Sequence, residues 1–172
     1  MKKFCLIILD GFGMGHHDAG DAIFHSQKPF LDQIFENFDP KKITSLKTFG
    51  HSVGLPETQT GGSEAGHLTL GAGRPIRQLL TIIDDEIRSG EFEKNPVLVE
   101  LFEKARQKNR IHFVGLVSDG GIHSYISHVL GLQKMAKKIG IGETFVHAIT
   151  DGRDVGERSA APFLGMVENG AT

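Results

Sequence analysis

The sequence predicts an α/β fold with parallel strand pairing, on three observations: apolar runs of strand length ending in Asp-Gly or Ser-Asp-Gly, helical stretches between them, and glycine clusters at the junctions. The decisive stretch is residues 111–149, where two apolar runs, 111–117 and 144–149, flank one helical stretch at 125–139 that stops at Gly140. Strand, helix, strand in that order is a βαβ unit, whose crossover returns the chain to a parallel strand.

The remaining elements follow from local pattern. Residues 4–9 form a continuous apolar run, the signature of a strand buried on both faces, and 111–117 and 144–149 read the same way. Residues 29–38 repeat apolar side chains at Phe30, Leu31, Ile34, Phe35 and Phe38, predicting a helix. Leu80, Ile83 and Ile87 mark another, with Gly90 as its stop. The next helix has Asn95 as N-cap and Pro96 at its first position, with Leu98, Leu101, Phe102 and Ala105 on one face. Glycines cluster at 10–20, 61–73, 115–121 and 140–156, which are read as loops.

Composition narrows the function. The chain has 172 residues, 39% hydrophobic and 23% charged, which is globular and excludes a disordered chain. Nineteen basic and 21 acidic side chains give a net charge of −2 with no block of either sign, so neither a nucleic-acid nor a membrane footprint is expected, and the partner is a small molecule. Cys5 is the only cysteine, which excludes an internal disulfide and fits a reducing compartment. The apolar stretch after Met1-Lys2-Lys3 stops at Asp10, too short for a signal peptide, and no run is of transmembrane length. The expected location is the cytoplasm.

In open α/β sheets, ligands collect beyond the carboxyl ends of the strands. The three predicted strands end in Leu9-Asp10-Gly11-Phe12-Gly13, in Ser118-Asp119-Gly120-Gly121-Ile122-His123, and in Thr150-Asp151-Gly152-Arg153-Asp154. Asp10 reads either as a hard-cation ligand on a rigid strand end or as a turn aspartate ahead of glycine. His123 can donate to a phosphate or carboxylate, or is a loop histidine. Arg153 offers a planar fork to an anion, with Asp151 and Asp154 placed to hold that fork or to accept from a substrate hydroxyl; the competing reading is a surface ion-pair cluster. His16-His17-Asp18 reads as a solvated loop, because adjacent side chains diverge.

Ser63 lies in Thr60-Gly61-Gly62-Ser63-Glu64-Ala65-Gly66-His67, and two readings of it are open. Flanking glycines let a backbone approach a ligand closely, which suits a nucleophile on a tight turn, and such a serine needs a base or a metal ion to activate it. Alternatively Ser63 caps a helix whose first turn carries Glu64. His67 is the local candidate base, but one helical turn away its ring can pack instead.

Taken in order, the Asp10-Gly11 segment, Val53-Gly54-Leu55-Pro56, the Ser63 segment, Gly71-Ala72-Gly73-Arg74, the 115–124 stretch and Asp151-Gly152-Arg153-Asp154 resemble the cofactor-independent phosphoglycerate mutases of the alkaline phosphatase superfamily, in register from residue 4 to about residue 160. The resemblance implies interconversion of 3-phosphoglycerate and 2-phosphoglycerate through a phosphoserine intermediate, with two divalent metal ions, usually manganese. It implies that Ser63 takes the phosphoryl group and ligates one metal, that Asp10 ligates the same metal, and that His123, Arg153 and Asp154 hold the phosphoglycerate. A metal lowers the hydroxyl pKa and offsets charge at phosphorus, so Ser63 then needs no histidine base and His67 becomes structural.

The resemblance also sets the expected domains. Residues 1–76 would be the first segment of a phosphatase-like parallel-sheet sandwich, and 77–172 the beginning of an inserted α/β substrate-binding domain. The family is much longer, so the expected partner is the C-terminal remainder of the same protein, which brings the other metal ligands. The chain by itself is then expected to bind manganese weakly and turn over little. Departures are Gly62 where asparagine is usual, Ala65 for valine, Tyr125 for histidine, and Val155-Gly156-Glu157 where threonine and prolines are typical. They keep open a phosphohydrolase or phosphopentomutase activity, or a truncated remnant acting as a binding module.

Overall fold

The computed structural model describes residues 3–37, 39 and 41–170. The chain divides into two compact units, Met1–Lys47 and Thr48–Thr172.

In the first unit, α1 (Ala22–His25) is capped by the Asp21 carboxylate, which accepts from the Phe24 amide at 2.9 Å. Helix α2 (Pro29–Glu36) starts with Pro29 at its first position, where no intrahelical donor is needed. The helix expected over 29–38 therefore forms, although its last apolar residue, Phe38, lies outside the described residues. The strand expected at 4–9 does not form. That segment is irregular, with Phe4 95% and Leu6 80% exposed. A strand is stabilised by backbone pairing with a neighbour, and among the described residues the only sheet is the β1–β2 pair of the second unit.

In the second unit, a 3-10 turn (Gly50–Val53) precedes α3 (Ser63–Ala72) and α4 (Leu79–Ser89), and a second 3-10 turn (Phe92–Lys94) leads into α5 (Pro96–Lys108). Asn95 caps α5 as the sequence predicts, its Oδ1 accepting from the amides of Val97 and Leu98 at 3.0 and 3.4 Å. Strand β1 (Arg110–Val117), helix α6 (Ile126–Ile139) and strand β2 (Glu143–Thr150) are the predicted βαβ unit, paired in parallel from Arg110 opposite Glu143 to Val117 opposite Thr150. The last helix, α7 (Ala160–Gly170), carries no sequence cue that marks it: Pro162 falls in its first turn, where proline is tolerated, and Gly165 weakens its propensity.

The core lies on one face of this sheet. Phe102 of α5, Ile111 and Phe113 of β1 and Met135 and Ala136 of α6 form one cluster; Val117, Val146 and Ala148 of the strands pack with Ile126 of α6 and Phe163 and Val167 of α7 in a second. The opposite face presents His112 and Val114 of β1 and Phe145, His147 and Ile149 of β2, with Val114 72% exposed. Burial on both faces, expected for these strands, thus holds for one face only, because α5, α6 and α7 supply side chains to a single side.

Candidate functional site

In-register pairing of Val117 with Thr150 makes the next residues, Ser118 and Asp151, emerge side by side at the carboxyl end of the sheet. Ser118 is fully buried, and its hydroxyl donates to Oδ2 of Asp151 at 2.8 Å while accepting from the Gly120 amide at 3.3 Å. The other oxygen of Asp151, Oδ1, accepts from the amides of Arg153 and Asp154 at 2.9 and 3.1 Å. The Arg153 amide, then that of Asp154 and the Ser118 hydroxyl, hold the Asp151 carboxyl below the usual aspartate range against an opposing desolvation effect. The Asp151 carboxylate ties down its own loop, accepting from the backbone amides of Arg153 and Asp154.

The loop after β1 meets that structure directly. Nε2 of His123 stands 3.7 Å from Oδ2 of Asp154, an ion pair when the imidazole is protonated. A Cβ on Gly120 would lie 3.0 Å from the Asp154 Cβ, so the two loops approach closely there. Gly121 has φ of +73°, a left-handed conformation suited to glycine, and its amide donates to the Ser124 carbonyl at 3.2 Å. The Ile126 amide donates to the Ser118 carbonyl at 2.8 Å, starting α6 directly after the loop. Three residues expected to hold substrate, His123, Arg153 and Asp154, are therefore brought together at one end of the sheet. Arg153 is exposed and Asp154 half-buried.

Ser63 is the first residue of α3, so the cap position belongs to Gly62, which is extended and offers no side chain. The reading of Ser63 as the N-cap is thereby corrected. Its side chain is exposed at the helix start, where the backbone amides favour negative charge. Nδ1 of His67 lies 2.6 Å from the Ser63 carbonyl oxygen, a bond that requires the proton on Nδ1 and turns the ring to the backbone. The helix is held by Ala65, which packs with Val53, Leu55 and Leu80. Gly54 completes that support: its carbonyl accepts from the Gln78 amide at 2.9 Å and from the Thr81 hydroxyl at 2.8 Å.

Asp10 sits in a tight turn in which the Phe12 amide donates to the Leu9 carbonyl at 3.0 Å and Gly11 has φ of +79°. The strand end expected to carry Asp10 is absent. The His16-His17-Asp18 segment is an exposed loop as expected: the His17 ring stacks on Phe24 at 4.2 Å and Oδ1 of Asp18 accepts from the Gly20 amide. Among the described residues, no group of three or more His, Cys, Asp or Glu side chains is assembled to hold a metal ion.

Sequence reasoning missed two residues of this surface. Ser118 carried a visible signal, since Ser118-Asp119-Gly120 and Thr150-Asp151-Gly152 end paired strands alike. Gln59 carried none: its Nε2 donates to the Gly120 carbonyl at 2.8 Å across 61 residues of sequence.

Residues 83–172 match the family model described as BPG-independent PGAM N-terminus. Proteins named 2,3-bisphosphoglycerate-independent phosphoglycerate mutase from Clostridium perfringens strains SM101 and 13 are each 44% identical over 169 residues, 98% of this chain. The same alignments cover 32% of those proteins, so the chain spans about a third of the length of the curated relatives it matches.

Proposed function

This chain belongs to the BPG-independent PGAM N-terminus family, and from that premise we propose that it is the N-terminal part of an enzyme that interconverts 3-phosphoglycerate and 2-phosphoglycerate through a phosphoserine at Ser63. The observation that carries the reading is the joined pair of loops after β1 and β2, which brings His123 to Asp154 and holds Arg153 beside them in the chain. The guanidinium of Arg153 suits a bidentate grip on the substrate's carboxylate or phosphate. Asp154 orients the His123 imidazole or accepts from a glycerate hydroxyl, and protonated His123 adds a second donor to the anion.

In the proposed reaction, the Ser63 hydroxyl oxygen bonds to phosphorus as the bond from phosphorus to the O3 of 3-phosphoglycerate breaks. The proton lost from Ser63 is balanced by one gained at O3, giving bound glycerate. The O2 hydroxyl then attacks the phosphoserine, loses its proton and restores the Ser63 hydroxyl. The start of α3 favours the added negative charge, and glycerate must be retained between the two transfers, which is work for the loop surface.

The family resemblance further supports a proposal of two divalent metal ions, with manganese as the expected metal and Asp10 and Ser63 as the ligands from this chain. The other ligands and the remaining substrate contacts are assigned to the C-terminal remainder of a longer protein. Residues 1–76 are proposed as the first segment of a phosphatase-like domain of the alkaline phosphatase type, and 77–172 as the start of an inserted substrate-binding domain. Among the described residues no helix is long and apolar enough to cross a membrane, and the proposed location is the cytoplasm.

The test is formation of 2-phosphoglycerate from 3-phosphoglycerate by the full-length protein, read by coupling to enolase. Ser63→Ala is expected to abolish phosphoenzyme. Release of free phosphate without 2-phosphoglycerate would replace this reading with a phosphohydrolase, and persistent labelling of Ser63→Ala would move the nucleophile elsewhere.

A further inference from the structure

We propose that Gln59 is a positioning residue that sets the register between the Ser63 turn and the loop carrying His123. The chemistry of this proposal rests on the reading above. The observation is the bond from Nε2 of Gln59 to the Gly120 carbonyl at 2.8 Å, made from a residue with only Thr60, Gly61 and Gly62 between it and Ser63.

The segment around Gln59 is rigid enough to transmit position. The Gly50 amide donates to the Gln59 carbonyl at 3.1 Å and the Gln59 amide to the Pro56 carbonyl at 2.9 Å, so both backbone groups of Gln59 are fixed. A Cβ on Gly61 would lie 1.7 Å from the Thr48 carbonyl oxygen, so the chain leading to Ser63 runs against another backbone with no room for a side chain. On the far side, the Gln59 side chain lies where a Cβ on Gly121 would come within 2.4 Å of its Oε1. Gly121 suits this corner by its positive φ, and the Gln59 amide packs directly against it. The amide clamps the Gly120-Gly121 corner, and two residues beyond that corner is His123.

A phosphoryl transfer between Ser63 and a substrate held by His123 and Arg153 depends on the distance between acceptor and substrate, and small misplacements are costly. Gln59 touches neither the reacting atoms nor the proposed substrate contacts, so its loss should act on turnover more than on binding. Gln59→Glu is the sharpest variant, because it keeps length and shape while replacing the amide donor with an oxygen that faces the Gly120 carbonyl. In the full-length protein, kcat for 3-phosphoglycerate is expected to fall about 10–100-fold with KM changed less than about twofold, and Gln59→Leu should behave alike.

A second measurement stands apart from activity. In this chain, Gln59→Glu should shift the amide resonances of Gly120, Gly121 and His123 together with those of Gly62 and Ser63, while those of α5 stay in place. Unchanged kcat and KM in Gln59→Glu, or a matched loss of both with a general drop in melting temperature, would overturn the positioning role. If the wild-type protein does not convert phosphoglycerate at all, the function reading fails. The resonances then decide: coupled shifts of the two segments uphold the register role of Gln59, and shifts confined to residue 59 and its immediate neighbours overturn it.

Discussion

The buried hydroxyl of Ser118 and the carboxylate of Asp151, 2.8 Å apart, join the carboxyl ends of two parallel strands and so fix where both following loops begin. Removing the hydroxyl takes from the Asp151 carboxylate the donor that ties the end of β1 to the end of β2. Ser118→Ala should therefore lower folding stability, read as a lower urea midpoint with an unchanged slope. It should also weaken binding of 3-phosphoglycerate, because Arg153 and Asp154 depend on the same carboxylate for their place. An unchanged midpoint would show that solvent fully replaces the bond.

The depressed pKa of Asp151 gives a pH dependence of defined sign. Its folded value lies below its unfolded one, so its contribution to stability is complete above the unfolded value of about 4 and is lost as pH falls through the lower folded value. The Arg153 and Asp154 amides should therefore stay protected from hydrogen exchange at pH 5 and lose protection only in more acid solution. Asp151→Asn should remove that dependence and expose both amides at neutral pH. Protection lost between pH 6 and 5 in the wild type would assign the loop to another group.

His67 gives a test of how Ser63 is activated. Its Nδ1 donates to the Ser63 carbonyl, a bond that anchors the ring to α3, and activation of Ser63 by a metal ion would leave it that structural role alone. His67→Gln in the full-length protein should keep phosphoenzyme formation within a few-fold of wild type while lowering stability by about 1 kcal/mol. A general base in that position would be worth about 100–10,000-fold, so a loss of that size would restore the histidine to the chemistry.

These outcomes also mark what could be read from the chain directly. The βαβ unit was legible because its signals are local: the Asn95-Pro96 cap pair, the apolar runs of β1 and β2, and Gly140 at the end of α6, which has φ of +82°. Residues 4–9 carry an equally strong strand signal, yet a strand is completed by its neighbours, and propensity alone does not supply them. The loops bearing His123, Arg153 and Asp154 were legible as strand ends followed by glycine. Their mutual placement was not, since it is set by Ser118 bonding across 33 residues and Gln59 across 61, distances at which sequence periodicity carries no information.

Gly62 offers the last test, because it is both the N-cap of α3 and the residue before the proposed phosphoryl acceptor. Its φ of −156° is extended backbone that any residue adopts, and a Cβ built there meets nothing within 4 Å. Gly62→Asn should therefore fit without strain, and asparagine in a cap position accepts from the amides two or three residues on, here Glu64 and Ala65. The gain in stability should be small, a few tenths of a kcal/mol, since glycine is itself tolerated as a cap. The gain in rate should be larger if the amide donates to a phosphoryl group on Ser63: one hydrogen bond to a charged group is worth about 1.5–3 kcal/mol, or about 10–100-fold in phosphoenzyme formation. A stability gain with no change in rate would confine Gly62 to capping and leave the phosphoryl group to other donors.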